Sequence, residues 1–236
     1  MNKRVNTKVL VSASLLTAIS IILTRAFSIM VPIAGAQALR ITFGGIPIAI
    51  SGILFGPIVG ALTGITADLV GVMINPMGPY FPGFTLTAGL SGFIPGIFYH
   101  YIYRENSKLN FSIINGLIVI LLFGISYMTY KKSGNEIPME FLIIYVIGIL
   151  GFIIIPLIMN KKYKNENVGY RFDKLIFVVS ITTIITSLML TTLWLIIMYK
   201  LGFIAIFPIR VLTALVTIPI ETVIIFILSK YFKYVR

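Results

Sequence analysis

Eight apolar runs separated by short polar gaps take up most of this chain, at about 8–30, 44–56, 57–74, 84–103, 111–130, 139–160, 174–199 and 203–230. A helix of roughly 20 apolar residues crosses a bilayer, and in lipid the backbone must satisfy its own hydrogen bonds, so runs of this length read as helices. Only 11% of the residues are charged and the mean hydropathy is +1.02, which fits a polytopic integral membrane protein rather than a soluble core. The first run is too long for the apolar segment of a signal peptide, and no small-residue cleavage site follows it, so it reads as a span. The second and third runs are short and adjoin at Gly56 and Pro57. Proline is tolerated at a first helical position and not in a helix interior, so this pair predicts a helical hairpin. The expected class is all-α.

The formal charge of +12 would point to nucleic acid in a soluble protein. Here most of the basic residues lie in the gaps between runs, and no nucleic-acid partner is expected. With a cytoplasmic N-terminus that side collects Lys3, Arg4, Lys8, Arg104, Lys108, Lys161, Lys162, Lys164, Arg171, Lys174, Lys230, Lys233 and Arg236, against Arg25, Arg40, Lys131, Lys132, Lys200 and Arg210 on or near the other side, or 13 to 6. The positive-inside rule then places both termini in the cytoplasm of a multi-pass protein of the cell membrane, surrounded by lipid. There are no cysteines, which excludes disulfides, thiol catalysis and cysteine metal sites. His100 has no second ligand at metal spacing and reads as interfacial. Neither a metal nor a cofactor is expected.

Two series of small residues four apart, Gly52, Gly56, Gly60 and Gly64, then Ala88, Gly92 and Gly96, predict close helix approach. Pro57 divides the first series into two short contact faces. Between the third and fourth runs lies "NPMGPYFPGFTL", residues 75–86, where Pro76, Pro79 and Pro82 stiffen a segment that also carries Tyr80, Phe81 and Phe84. A loop that only reversed the chain would not combine stiff backbone with large rings. The charge count turns this loop outward.

Ionisable groups inside membrane spans are costly and mark function by default. Arg25 falls near the outer end of the first run, Asp68 about two turns before Asn75, Arg210 in the last run and Glu221 three turns further in; Arg40 falls in the outer loop 31–43. An arginine fork binds a carboxylate through two parallel hydrogen bonds. The alternative for each arginine is snorkelling to headgroups. Trp194, in "LTTLWLIIMY" (190–199), is either an aromatic-belt anchor or a stacking wall beside Tyr80 and Phe84, with Thr191 and Thr192 as hydrogen-bonding neighbours. Glu221 reads as an internal helix contact. Aromatic faces with a few convergent polar groups make a small-molecule pocket, here one suited to a flat ring with an anionic tail.

Four stretches together resemble the folate-specific S components of energy-coupling factor (ECF) transporters: "LRITFGGIPIAISGILFGPIVGALTGITADLVG" (39–71), "NPMGPYFPGFTLTAGLSGFIPG" (75–96), "TTLWL" (191–195) and "FPIRVLTALVTIPIETVIIFIL" (207–228). The likeness covers about 8–105 and 174–230, and "YFPGFTL" and "TLWL" are its most specific pieces. It implies a membrane-embedded vitamin-binding subunit that captures a folate-like molecule outside and releases it inside. The implied partners are a transmembrane T component and two ATPase subunits. The chain has no G-x-x-x-x-G-K-S/T phosphate loop and so needs such partners for ATP hydrolysis. By the resemblance Ser14 and Ala18 dock the T component, and Arg40, Tyr80, Phe84, Trp194 and Arg210 face the pocket; Asp68 matches the "AD" of the third helix and offers acceptors to a pterin's amino group and ring N–H.

The chain departs from the family in two ways: Glu221 stands where glutamine is expected, and a segment of about 107–172 adds two spans to a six-helix core. The expected organisation is a single membrane domain, 1–236, with that pair inserted. Three alternatives stay open. An intramembrane enzyme would need a nucleophile–base or metal constellation, which His100, Asp68 and Glu221 do not form. A stand-alone secondary transporter would use Asp68 or Glu221 as a proton carrier. An S component for another anionic or heterocyclic vitamin would use the same scaffold.

Overall fold

Glycine sets how closely the first helices approach. The computed structural model describes residues 7–33, 36–102, 111–132, 139–162, 172–200 and 202–229. It begins with α1 (Thr7–Arg25), a hairpin of β1 (Ile29–Ile33) and β2 (Ala36–Ile41), then α2 (Gly45–Phe55), α3 (Pro57–Ile74) and α4 (Pro82–Ile102). Gly56, at φ 99°, occupies a backbone region that side chains rarely adopt, and Pro57 opens α3 directly after it, so α3 folds back on α2. A Cβ on Gly60 would lie 2.5 Å from the Gly52 Cα, and one on Gly96 would lie 2.6 Å from the Pro57 Cα. At Gly52 and Gly92 a Cβ would run into the carbonyl oxygens of Gly92 and Gly60 respectively. The two predicted contact faces are therefore real backbone contacts among α2, α3 and α4. A buried hydrogen bond of 2.8 Å between Ser51 and Thr63 ties α2 to α3 across the same seam.

α1 to α4 form one compact unit and α5 (Phe111–Lys132), α6 (Met139–Lys162), α7 (Phe172–Thr183), α8 (Thr192–Tyr199) and α9 (Phe203–Ser229) form another. In the second unit α9 buries Ile206, Val211, Leu215, Ile218, Thr222 and Ile225 at helical spacing. Phe172 of α7 meets Phe226 of α9 edge-on at 5.3 Å. The two helices of the predicted insert pack closely in this unit. Tyr145 of α6 bonds Ser126 of α5 and donates to the Pro208 carbonyl at 3.2 Å, while Asn115 and Asn160 bond Asp173 of α7 at 3.0 and 2.7 Å.

Every predicted run contains helix. Among the described residues six helices are long and apolar enough to cross a membrane: Thr7–Arg25, Pro57–Ile74, Phe111–Lys131, Tyr145–Lys162, Phe172–Tyr199 and Ile206–Leu228. α2 has 11 residues, which at about 1.5 Å per residue reaches half-way across a hydrocarbon core.

Two expectations need correction. The first run was expected to stay helical to about residue 30, but α1 stops at Arg25 and Ile29–Ile33 pairs as a strand with β2. The apolar character that extends the run suits a strand equally well, and Pro32 does not continue a helix. The run 174–199 is also not a uniform α-helix, since Ile184–Thr191 widens into π-helical turns between α7 and α8.

The ends of the predicted insert, at 103–110 and 163–171, lie outside the described residues. So do nine of the 13 basic residues counted on the cytoplasmic side: Lys3, Arg4, Arg104, Lys108, Lys164, Arg171, Lys230, Lys233 and Arg236. The side chain of His100 is outside them as well.

Candidate functional site

In the first unit a directed chain of polar groups joins the loop 75–81 to α1, α3 and α4. α3 ends at Ile74 with Asn75 as its C-cap, and Gly78, at φ 128°, supplies the left-handed residue that bends the loop. Phe81 and Phe84 lie edge-to-face at 6.0 Å, and the Phe84 amide donates to the Phe81 carbonyl as α4 begins. Thr85 Oγ1 donates to Asp68 Oδ2 at 2.7 Å. That uses the hydroxyl's one proton, so the Tyr80 hydroxyl, 3.1 Å from Thr85 Oγ1, must be the donor of their bond. Tyr80 itself is half exposed and keeps its oxygen lone pairs for another donor.

On the other side of the carboxylate Arg25 Nη2 approaches Asp68 Oδ1 at 3.6 Å, with side chains only 8% and 12% exposed. Arg25 Nη1 donates to the Asn75 carbonyl at 3.1 Å. The guanidinium lies against Gly71, where a Cβ would come within 2.7 Å of Nε. Three residues on, Ser28 contacts the Met77 sulfur at 3.8 Å. Thr85 therefore takes one acceptor position of the carboxylate and Arg25 faces its other oxygen as an ion pair, so acceptor positions remain on both oxygens.

Arg40, on β2, belongs to the same neighbourhood. Surrounding protein lowers its pKa from the usual arginine value, the positive charge of Arg25 lowers it further, and Asp68 opposes both. Its side chain nonetheless remains exposed, so it borders a crowded edge that solvent still reaches.

In the second unit Arg210 is buried, and its Nη2 donates to the carbonyl and the hydroxyl of Ser187, each at 3.0 Å. Ser187 sits in the π-helical turns, where Thr191 bonds back to the Thr186 carbonyl at 2.8 Å, five residues earlier. Such turns are frequent at functional sites. Trp194 is half-buried on α8.

Of the residues singled out in the sequence, Arg25, Arg40, Asp68, Tyr80 and Phe84 fall in the first unit, and Thr191, Trp194 and Arg210 in the second. Ser14 and Ala18 are exposed on one side of α1, among Leu10, Val11, Leu15 and Ile22. Thr85, Gly71 and Ser187 were not singled out. Thr85 lies inside the aromatic segment and carries a hydroxyl one residue from Phe84, which was signal enough. Ser187 had none, because a π-turn leaves no pattern in the residues.

Residues 4–165 match the family of ECF-type riboflavin transporter S components. The chain belongs to this S-component family. It is 43% identical over 140 residues to the folate transporter FolT of Clostridium novyi (strain NT), a match spanning 59% of this S component and 72% of that protein. A crystal structure of FolT bound with folic acid has a similar fold, with a TM-score of 0.59 over 96% of this chain and 98% of that one at 22% identity.

Proposed function

We propose that this S component captures folate or a close derivative on the extracellular side and delivers it inward within an ECF importer. A transmembrane T component docks on the Ser14 and Ala18 face of α1, and two ATPases supply the energy; both termini are cytoplasmic. The chain's own role is binding and delivery rather than chemistry. The observation that carries the reading is the ordered set Tyr80, Thr85 and Asp68 beside the exposed Arg40. It offers a ring face, two carboxylate acceptor positions for the amino and ring N–H groups of a pterin, and an arginine for a carboxylate tail. The 43% identity to a folate transporter supports the same ligand. The resemblance and the residue types assign Phe84 and Trp194 to stacking, Thr191 to a hydrogen bond and Arg210, like Arg40, to a carboxylate.

The family match favours riboflavin as the second reading. Riboflavin carries a flat ring and a neutral polyol tail, so the arginines separate the two. Calorimetry of the detergent-solubilised protein with folate and with riboflavin, alongside mass spectrometry of the co-purifying small molecule, tests the proposal. Folate binding with riboflavin inert supports it, and the reverse sinks it. Uptake by cells lacking any ATPase partner would instead favour a stand-alone transporter.

A further inference from the structure

Arg25 is read most simply as one more arginine for an anionic ligand, but both of its Nη atoms already face protein partners, and Nε is buried against Gly71 with no hydrogen-bond partner among the described residues. Nη2 faces the Asp68 carboxylate, Nη1 holds the Asn75 carbonyl, and its side chain is only 8% exposed. Gly71 leaves the space the guanidinium fills. The geometry points to Arg25 as a positioning residue that fixes both the ring acceptor Asp68 and the root of the loop 75–81, without touching the ligand. This rests on the folate reading for the ligand and on the geometry alone for the clamp.

Asp68 is held between one hydrogen-bond donor, Thr85 on α4, and one ion-pair partner, Arg25 at the end of α1. Each faces a different oxygen, which restricts the carboxylate plane and so the direction of its remaining acceptor positions. A second tether, Ser28 to Met77, joins the chain just past α1 to the same loop. Arg25 also closes the helix that carries Ser14 and Ala18, so a rigid shift of α1 pulls directly on Asp68 and Asn75. One carboxylate and one carbonyl held by a single fork need guanidinium geometry; a lysine supplies the charge without the fork.

The test uses two ligand fragments and one ligand-free measurement. Arg25→Gln should weaken a tail-free pterin about tenfold, the worth of a hydrogen bond to a charged group, and leave p-aminobenzoyl-glutamate unchanged. Asp68→Asn should do the same, and the double variant should lose little more than either alone. Arg25→Lys should recover part of the pterin affinity. Loss confined to the tail fragment would make Arg25 a direct anion receptor, and equal loss on both fragments would reduce it to a general fold contact. Either outcome overturns the assignment.

The chain has no cysteine, so Pro79→Cys takes a nitroxide label at a unique exposed position in the loop. Label motion should be faster in the Arg25→Gln background. Unchanged motion refutes the clamp whatever the ligand is. Faster motion in a protein that binds neither fragment keeps the clamp and rejects folate.

Discussion

Thr85 donates its hydroxyl proton to Asp68 at 2.7 Å, and in doing so obliges Tyr80 to donate to Thr85. A chain of bonds with one direction polarises each member and aims the last acceptor. Thr85→Val keeps the shape and removes the link. The expected outcome is roughly tenfold weaker binding of the ring fragment, the lower end of a charged hydrogen bond's contribution, with little change in thermal stability. Calorimetry on the variant checks this, and wild-type affinity would show that the chain does not orient Asp68.

The glycine seam predicts a contrast between two alanine substitutions. At Gly60 a Cβ would lie 2.5 Å from backbone on α2, whereas at Gly124 in α5 it would meet nothing within 4 Å. Gly60→Ala must separate helices whose attraction in lipid depends on close approach, at a cost of about 1–3 kcal/mol for overpacking. Gly124→Ala removes a flexible helical residue and should be neutral or stabilising by up to about 1 kcal/mol. Thermal unfolding in a single detergent distinguishes the two. Equal midpoints would mean that the seam yields without cost.

Much of this was legible in the residues because membrane helices and glycine contacts depend on local composition and spacing. The series at Gly52–Gly64 and Ala88–Gly96 marked faces of close approach, and the structure supplies their partners, α2 and α3 against α4. The hairpin at Ile29–Ile41 was hidden because apolar residues suit a strand and a helix end alike. The Arg25–Asp68 pair joins positions far apart in the chain, and sequence marked both as costly charges without saying that each stabilises the other. The wider turn at Ile184–Thr191, and with it the Ser187 seat of Arg210, depends on one shifted hydrogen-bond register that no residue type announces.

Ala18 is exposed on α1, and Ser14 stands one turn earlier on the same side. If a T component packs there, Ala18→Leu should block close helix contact while ligand binding by the isolated chain stays at wild-type strength. Transport by the assembled complex should then fail. Parallel loss of binding and transport would assign the face to the chain's own fold.

The α5–α6 pair is tied to α9 through Tyr145, whose hydroxyl reaches Ser126 and the Pro208 carbonyl. Tyr145→Phe removes both bonds and leaves a buried carbonyl with one partner fewer. A loss of about 1–3 kcal/mol is expected, read as a lower unfolding midpoint, with ligand affinity unchanged. An unaltered midpoint would show that apolar packing alone holds α6 against α9.

The arginines offer the sharpest test of what the ligand presents. Arg40 is exposed and Arg210 is buried against Ser187, so the two must be substituted differently. Arg40→Ala removes an accessible side chain at little cost to the fold. Arg210→Ala would also empty a buried site, so Arg210→Lys is the better variant: it keeps the charge and loses the planar fork. If each holds a tail carboxylate, folate affinity should fall by about 1.5–3 kcal/mol, or roughly 10- to 150-fold, for Arg40→Ala. Arg210→Lys should cost less, and Ser187→Ala should reproduce part of that loss by freeing the guanidinium. A tail-free pterin should bind all three variants as it binds the wild type. Trp194→Ala should weaken both ligands, since stacking acts on the ring they share. Should the arginine variants weaken pterin as much as folate, neither arginine is a tail receptor, and the charge at Arg40 and Arg210 would have to serve the fold or a ligand of another kind.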